Sequence, residues 1–354
     1  MSVTFYTVDV GHGLCQVILF DRRAILIDGG GAVGKKVAED FLTRYVDTIV
    51  AYVATHNDSD HVQAAPELLD AFPTQEKLHY VYLLLDRPAK KKDQSDEEVI
   101  PLLGYARKRQ HNGTIKGMYL LYLDDAPGKV KAKVLHHERA EEMQLQLLYP
   151  KLKDTTAAIL SGTPDPKATN EASAILRLIV GGRKNRAAVL ITGDASCRSF
   201  ASAREEYLFD IGARVLSMPH HGGNIPAPAE CPSWEKVVHW ISPEIAVVSA
   251  GFGTVPGPTT TQRGAFAPLR SIGAKICCTE ITMHCHSNFL SLHPGVLSKT
   301  PVFPQLSGRV PQAVACGGTI AVKIDTAGEV DLFHHEEHQR QLTAKIAGAT
   351  PHCR

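Results

Sequence analysis

The feature that most constrains this chain is a short run of metal-ligand side chains between a strand and a helix. Residues 46–54 are apolar and rich in β-branched side chains, which predicts a buried strand. Residues 62–72 combine good helix formers with apolar side chains at helical spacing, which predicts a helix. The residues between them are Thr55, His56, Asn57, Asp58, Ser59, Asp60 and His61. A loop after a strand can turn such side chains toward one point, so the run predicts a metal-binding loop.

Four side chains of this loop have the chemistry of metal ligands: His56, Asp58, Asp60 and His61. Imidazole nitrogen and carboxylate oxygen suit zinc, manganese or iron, and no cysteine belongs to the set. Their spacing allows two pairs, which favours two metal ions. The alternative is a surface loop in which the aspartates form turns and the two histidines are unrelated. Four such groups within one loop favour the metal site.

Composition gives only broad limits. The 354 residues are enough for one large domain or two modest ones. With 44% hydrophobic and 21% charged residues the chain has the balance of a globular protein. Its formal net charge of +1 predicts no overall attraction to nucleic acid, although a local basic groove is compatible with this value.

The sequence also bears on location. The N-terminus lacks a basic region followed by an apolar core, and the chain has no run of about 18 apolar residues. Its 8 cysteines form no CxxC pair and show no disulfide-framework spacing. We therefore expect a protein without a membrane span or a conventional secretion signal, in the reducing cytoplasm.

Several further predicted strands end on an aspartate or a histidine beside a glycine. Asp28 precedes three glycines, and Asp194 follows Gly193. His220 and His221 precede Gly222 at the end of another apolar strand. Each case alone could be structural, because an aspartate at a strand end often caps a helix. The repetition predicts that these strand ends converge on one polar site.

Six motifs follow one another along the chain. They are Val8-Asp9-Val10-Gly11-His12-Gly13, Leu26-Ile27-Asp28-Gly29-Gly30, the run from Thr55 to His61, Asn170-Glu171-Ala172-Ser173, Leu190-Ile191-Thr192-Gly193-Asp194 and Met218-Pro219-His220-His221-Gly222. In this order they resemble the hydrolase domain of ComEC-type competence proteins, a branch of the metallo-β-lactamase superfamily. The similarity runs from residue 3 to about residue 280, most of the chain.

The resemblance implies an α/β fold, a metallo-β-lactamase-type αβ/βα four-layer sandwich with two mixed β-sheets. It implies a site for one or two divalent metal ions, Zn²⁺ or Mn²⁺, at the edge of the sheets. A single hydrolase domain is expected over residues 1–335, with an insertion over 281–312 and a tail over 336–354. A second zinc site at Cys277, Cys278 and the His284-Cys285-His286 run is an alternative use of the insertion, without finger-like spacing.

Carried over by position, the resemblance implies the metal ligands. His56 and Asp58 would bind the first metal ion, and Asp60 and His61 the second. Asp194 would bridge the two ions. The usual third histidine of the first metal has no counterpart, so this ion is expected to be held more weakly.

The resemblance also implies the residues around these ligands. His221, directly before Gly222, would complete the shell of the second metal, and His220 would remain free to bind substrate or donate a proton. Asp28 would orient a histidine of the metal loop. Asn170 and Ser173, which stand in place of the missing histidine, would contact substrate.

These roles predict a metal-dependent hydrolase in which metal makes water a nucleophile at neutral pH. Asp60 would position that nucleophile or take its proton, and His220 would protonate the leaving group. The resemblance favours a phosphodiester, with single-stranded DNA or another nucleic acid as substrate. Basic residues at 87–92 and 107–109 are candidate phosphate contacts, with a solvated surface as the alternative.

Two other functions stay open. One is hydrolysis of a small ester, such as a lactone, a thioester or a choline phosphodiester. The other is a metal-binding subunit of a multi-protein defence or signalling complex, docking a protein partner through residues 281–312.

Overall fold

In the computed structural model the chain folds into two β-sheets that face each other, with helices on their outer surfaces. The structure describes residues 2–71, 78–84, 101–124, 131–138, 142–155, 170–182, 185–223, 225, 229–251, 263–282, 285 and 314–345.

The strands are β1 (Ser2–Thr7), β2 (Cys15–Phe20), β3 (Arg23–Asp28), β4 (Thr48–Val53), β5 (Leu78–Leu83), β6 (Gly117–Leu120), β7 (Lys133–Glu138), β8 (Met143–Tyr149), β9 (Ile175–Val180), β10 (Ala187–Ile191), β11 (Val215–Ser217), β12 (Ile245–Val248), β13 (Lys275–Cys278), β14 (Ile320–Asp325) and β15 (Val330–Leu332).

The helices are α1 (Lys35–Tyr45), α2 (Ser59–Val62), α3 (Ala65–Asp70), α4 (Pro101–His111), α5 (Cys197–Ala201), α6 (Trp234–Ile241), α7 (Arg263–Ser271) and α8 (His335–Lys345). A π-helical turn, Ser202–Glu206, extends α5, and a 3₁₀ turn, Pro219–Gly222, follows β11.

Both sheets are mixed. The first has eight strands in the order β15-β14-β1-β2-β3-β4-β5-β6, and the second has seven in the order β13-β12-β11-β10-β9-β8-β7. Within the first, β3 to β6 run parallel, and within the second β10 to β13 do. The carboxyl ends of parallel strands share one edge of a sheet, which is where open α/β sheets place ligands.

Successive residues of the central strands are buried on opposite faces. In β1, Phe5 packs into the core between the sheets, whereas Tyr6 packs under the helices outside the first sheet. In β2, Ile18 and Val17 divide in the same way. Strands buried on both faces need a helical layer outside each sheet. The predicted αβ/βα four-layer sandwich with two mixed sheets is therefore confirmed.

The helix predicted over residues 62–72 is broken into α2 and α3. The carbonyl of His61 accepts hydrogen bonds from the N–H groups of Gly29 (2.5 Å) and Gly30 (3.0 Å). Pro66, at the start of α3, has no N–H to continue the helical ladder. The break therefore fastens the metal loop to the loop after β3.

The C-terminal part of the chain completes the first sheet. Strand β14 pairs with β1, and the ends of the predicted insertion meet in a bridge between Glu280 and Ala315. Of residues 281–312, the structure describes only 281, 282 and 285. The expected docking surface, and both histidines of the His284-Cys285-His286 alternative, therefore lie outside the described residues. Among the described helices, none has the length and apolarity of a membrane span.

Candidate metal centre

The polar strand ends meet at one edge of the sandwich. His56, Asp58, Asp60 and His61 follow β4 in the first sheet. Asp194 follows β10 in the second sheet, separated from it by Thr192 and Gly193. Gly193 has φ +48°, and a Cβ there would lie 2.5 Å from the Thr55 hydroxyl, so this close approach requires glycine. The two sheets thus each supply part of one site.

One part of the site, here called half-site 2, contains Asp60, His61, His221 and the Oδ1 atom of Asp194. His221 Nε2 lies 3.3 Å from Asp60 Oδ2, and His61 Nε2 lies 3.4 Å from Asp194 Oδ1. Ligands about 2.1 Å from a tetrahedral ion lie about 3.4 Å apart, so these spacings suit a shared cation. Donor atoms of Asp60, His61 and His221 all lie within 4.8 Å of one another.

The other part, here called half-site 1, contains His56, Asp58 and the Oδ2 atom of Asp194. His56 Nε2 lies 3.8 Å from Asp58 Oδ2 and 3.8 Å from Asp194 Oδ2. His56, His61 and Asp194 form a second group of donors within 4.8 Å. The carboxylate of Asp194 therefore turns one oxygen toward each half-site.

The donor atoms themselves fit a metal ion. The Nε2 atoms of His56, His61 and His221 and Oδ1 of Asp194 are buried and have no hydrogen-bond partner among the described residues. A buried polar atom without a partner costs about 1–3 kcal/mol. These four atoms are divided between the two half-sites, and divalent cations bound there would satisfy them.

Asp28 lies behind the metal loop and is fully buried. Its Oδ2 accepts a hydrogen bond from His61 Nδ1–H at 2.8 Å and one from the Thr55 hydroxyl at 2.7 Å. Its Oδ1 accepts from the Thr55 backbone N–H at 2.7 Å. These contacts fix the His61 ring with Nε2 facing the site, which is the place predicted for Asp28.

Ser173 lies inside the protein, behind His56. It is fully buried, with Oγ 3.2 Å from His56 Nδ1, and it accepts a hydrogen bond from the Asp194 N–H at 3.0 Å. Ser173 therefore lies behind the candidate ligand His56, and its contact with substrate stays a prediction. Asn170 lies beside His220, with its Nδ2 3.4 Å from His220 Nε2. The motif holds the site together because the chain turns under the metal loop here.

Burial and charge set the protonation of the centre. Burial would raise the pKa of Asp194, but neighbouring imidazoles, His61 first, hold it well below its ordinary value. Burial would lower the pKa of His61, yet the carboxylates of Asp194, Asp28 and Asp60 raise it well above its ordinary value. Burial would also raise the pKa of Asp60, which His61 and His221 instead keep low. A metal ion bound at His61 Nε2 would therefore take the place of a proton there.

His12, which belongs to the first sequence motif but was given no role there, is a further member of the centre. Its Nε2 lies 3.4 Å from Asp60 Oδ2, and its ring centroid is 5.1 Å from that of His221. The side chain is 32% exposed, so it stands at the rim, and burial lowers its pKa. A single histidine in a glycine-flanked loop has no patterned partner in sequence, so its place beside Asp60 and His221 is seen only in the fold.

The basic residues 107–109 lie away from this edge. They form the last turn of α4, which leads into the amino end of β6, whereas the metal loop follows the carboxyl end of the parallel β4. Arg109 also pairs with Asp70. Contact of this stretch with substrate phosphates stays a prediction, and residues 87–92 lie outside the described residues.

Comparison with known proteins gives few matches in sequence and many in structure. No protein-family model matches the chain. Over 114 residues it is 29% identical to competence protein ComA of Neisseria gonorrhoeae, and this segment covers 32% of the chain but only 15% of that protein.

Among solved structures, the chain aligns with the metallo-β-lactamase fold protein YhfI from Bacillus subtilis at 14% identity and a TM-score of 0.41, covering 69% of this chain and 85% of that one. It aligns with the short form of human tRNase Z at 13% identity and a TM-score of 0.40, covering 70% and 92%.

The classification follows from the chain's own architecture. Two mixed sheets lie face to face with helices outside them. The His/Asp loop after β4, Asp194 after β10 and the histidine pair after β11 meet at one edge, in the chain order that the motifs predict. The chain therefore has the metallo-β-lactamase fold.

Proposed function

We propose that this protein is a metal-dependent hydrolase that cleaves phosphodiester bonds, with single-stranded DNA as the first substrate to test. The observation that carries the proposal is the position of Asp194. Its two carboxylate oxygens face separate sets of imidazole nitrogens, with His61 3.4 Å from Oδ1 and His56 3.8 Å from Oδ2. A carboxylate shared in this way suits a pair of metal ions, an arrangement common among enzymes that displace groups at phosphorus.

Such ions would be held by Asp60, His61, His221 and Asp194 in half-site 2, and by His56 and Asp194 in half-site 1. Asp58, which lies 3.8 Å from His56, would join half-site 1 as a further ligand. Divalent cations supply Lewis-acid activation of water and charge neutralisation at the scissile group. Zn²⁺ and Mn²⁺ both accept this set of nitrogen and oxygen donors.

The protein's own groups act around that chemistry. Asp60 is ionised at neutral pH because its pKa is held low, so it can accept a hydrogen bond from an attacking water and hold that water in line. His12 stands at the open rim, with its Nε2 3.4 Å from Asp60 Oδ2, where it can donate a hydrogen bond to a substrate oxygen.

The surroundings of His220 bear on its expected role as proton donor to the leaving group. Its side chain is only 18% exposed. Nδ1 faces Asp194 Oδ2 at 3.5 Å, and Nε2 faces the Asn170 amide at 3.4 Å. Both ring nitrogens are thus directed at protein groups.

The experiment is cleavage of end-labelled single-stranded DNA by the purified protein with added Mn²⁺. The parent is compared with Asp60→Asn and Asp194→Asn. The matched control is Asp47→Asn, because Asp47 is an exposed aspartate directly before β4 that pairs with Arg22. We expect the parent and Asp47→Asn to cleave the DNA. Asp60→Asn and Asp194→Asn should lose at least about 100-fold in rate, as for loss of one strong transition-state contact.

Equal cleavage by the parent and both site variants would contradict the proposal, because the activity would then belong to another site or another protein. A parent that binds metal, leaves DNA and a small phosphodiester intact and hydrolyses a lactone or thioester would instead favour the small-ester function.

A further inference from the structure

The two neighbouring histidines after β11 lie on opposite sides of the Asp194 carboxylate. His221 Nε2 lies 3.9 Å from Asp194 Oδ1 and 3.3 Å from Asp60, in half-site 2. His220 Nδ1 lies 3.5 Å from Asp194 Oδ2. That same oxygen lies 3.8 Å from His56 Nε2, so His220 faces half-site 1.

The backbone is strained to achieve this arrangement. His220 has φ +52° and His221 has φ +53°, two consecutive left-handed residues that are not glycine. Such residues cost about 1–3 kcal/mol each and persist where the surroundings enforce them. Here the His220 N–H donates to the Gly193 carbonyl at 3.3 Å, and the Gly223 N–H donates to the His220 carbonyl at 2.7 Å. Strain held in this way at a functional site points to a required position for both rings.

The other candidate histidines follow one rule: one ring nitrogen is held by the protein and the other faces the site. His61 Nδ1–H donates to Asp28, and His221 Nδ1–H donates to the Ser249 carbonyl at 3.0 Å. His56 Nδ1 lies beside the Ser173 hydroxyl. This is the arrangement that orients histidine ligands in metal sites.

His220 follows the same rule, but here Nε2 is the nitrogen held by the protein and Nδ1 is the one that faces the site. Its Nε2 lies beside the Asn170 amide, and Asn170 Oδ1 is buried without a hydrogen-bond partner among the described residues. The two ends of an asparagine amide are assigned from their hydrogen bonds. Turning the amide by half a rotation places Oδ1 where it accepts the His220 Nε2–H. Nδ1 then presents its lone pair toward Asp194 Oδ2.

We propose that His220 is a ligand of half-site 1 through Nδ1 and that Asn170 is the positioning residue that orients it. His220 then takes the place of the third histidine that the first metal lacks in the sequence motifs. The left-handed pair delivers one imidazole to each half-site, and Asn170 and Ser173 orient the two histidines of half-site 1. The inference rests on the proposed function only in requiring bound metal, and it is independent of the substrate.

The test is titration of Zn²⁺ into the chelator-treated full chain, in competition with a chromophoric chelator. Asparagine tolerates the left-handed region, so His220→Asn and His221→Asn remove the imidazoles with little added strain. His239→Asn, on the exposed side of α6, is the matched control. Circular dichroism shows whether each variant remains folded.

We expect two binding steps in the parent and in His239→Asn. His220→Asn should weaken one step at least about 10-fold, and Asn170→Ala should weaken the same step about 10- to 100-fold, the range for residues that orient ligands. His221→Asn should weaken the other step.

Two binding steps of parental affinity in folded His220→Asn would overturn the inference, as would loss of the same step in His220→Asn and His221→Asn. A parent that binds no Zn²⁺ overturns both this inference and the proposed function. A parent that binds two ions with the expected pattern, yet cleaves no phosphodiester, removes the proposed function and leaves this inference standing.

Discussion

At the scale of single residues, the centre depends on groups behind the candidate ligands. Asp28 uses both carboxylate oxygens, toward Thr55 and His61, and Ser173 links His56 to the backbone of Asp194. These contacts are made inside the protein, where a hydrogen bond that loses one partner leaves the other uncompensated. Replacing such a residue should therefore weaken metal binding without removing a ligand.

Asp28→Asn tests this dependence. The change keeps the shape and removes the charge that favours the His61 Nδ1–H tautomer, and asparagine accepts the φ of +54° at this position. We expect metal affinity to fall about 10- to 100-fold in a chelator-competition titration. Asp47→Asn, at an exposed ion pair with Arg22, should bind metal like the parent. Unchanged affinity in Asp28→Asn would show that His61 is oriented by other contacts.

At the scale of elements, two loops from different sheets touch beneath the centre. A Cβ on Gly251, after β12, would lie 2.1 Å from the backbone carbonyl carbon of Gly11, after β1. The Ser249 hydroxyl also donates to the Gly13 carbonyl at 2.6 Å. The loop that carries His12 therefore rests on the second sheet, and a methyl group at 251 has no space.

Gly251→Ala should consequently destabilise the protein by about 2–3 kcal/mol, the usual cost of forcing a packed contact apart. Metal affinity should fall with it, because the displaced loop also holds Asp60 through the Leu14 N–H at 3.1 Å. Denaturant unfolding and metal titration measure the two effects. Gly264→Ala in α7, where a Cβ meets nothing within 4 Å, should stay within about 1 kcal/mol of the parent. Equal stability of the two variants would contradict the steric argument.

The junction of β6 and β8 places a cation at the same sheet edge as Asp194. Lys151 follows the carboxyl end of β8, bridges to Leu123 beyond β6, and holds its Nζ 4.2 Å from the centre of the Tyr207 ring. Because β8 runs parallel to β10 through the antiparallel β9, this end faces the same edge as Asp194. Lys151 is therefore better placed for a phosphate contact than residues 107–109.

Lys151→Gln should lower kcat/KM for single-stranded DNA about 5-fold and reduce the salt slope of DNA binding by about 1. Turnover of a small phosphodiester should stay unchanged, because a small substrate does not reach beyond the metals. Lys275→Gln, at the amino end of β13 on the opposite edge, is the control. Equal losses on both substrates would place Lys151 in another role.

At the scale of the whole molecule, the charges of the centre predict how stability depends on pH. At pH values below the ordinary imidazole pKa, the raised pKa of His61 stabilises the metal-free protein. This stabilisation is lost as the pH rises through the raised pKa of His61. A metal ion needs the neutral ring, so metal affinity increases about tenfold per pH unit while one proton is displaced.

The stabilisation of the protein by bound metal should therefore increase with pH. Between about pH 6 and about pH 8, the difference between Zn²⁺-loaded and chelated protein should widen, by about 1.4 kcal/mol per pH unit in free energy of unfolding. Thermal unfolding at several pH values measures this difference. A constant or narrowing difference would mean that metal does not displace a proton from His61.

Much of this architecture could be predicted from local patterns. The apolar run before His56, the strand before Asp194 and the order of the motifs each indicated a strand end at the site. The roles of Ser173 and His12 could not be predicted, because each depends on a neighbour far away in sequence, His56 for one and His221 for the other. The single domain over 1–335 and the nucleic-acid substrate stay predictions.

The break of the helix after His61 also depends on residues that are distant in sequence, so local patterns could not predict it. Residues 62–72 have a helical pattern, but two N–H groups of the glycine loop after β3 donate hydrogen bonds to the His61 carbonyl. A short strand such as β13 has too few residues to show a periodic pattern. It forms because it pairs with β12. The local preference for a helix or a strand is overridden where another part of the chain offers the backbone hydrogen bonds.

The division of the centre between the two sheets has a mechanical consequence. The first sheet brings His56, Asp58, Asp60 and His61, and the second brings Asp194, His220 and His221. Ions held by both would act as a removable cross-link, closing a long loop of chain as a disulfide does in proteins that have one. Chelation would then release this edge of the sandwich first, and a protease should cut the chelated protein near the strand ends before it attacks the opposite edge.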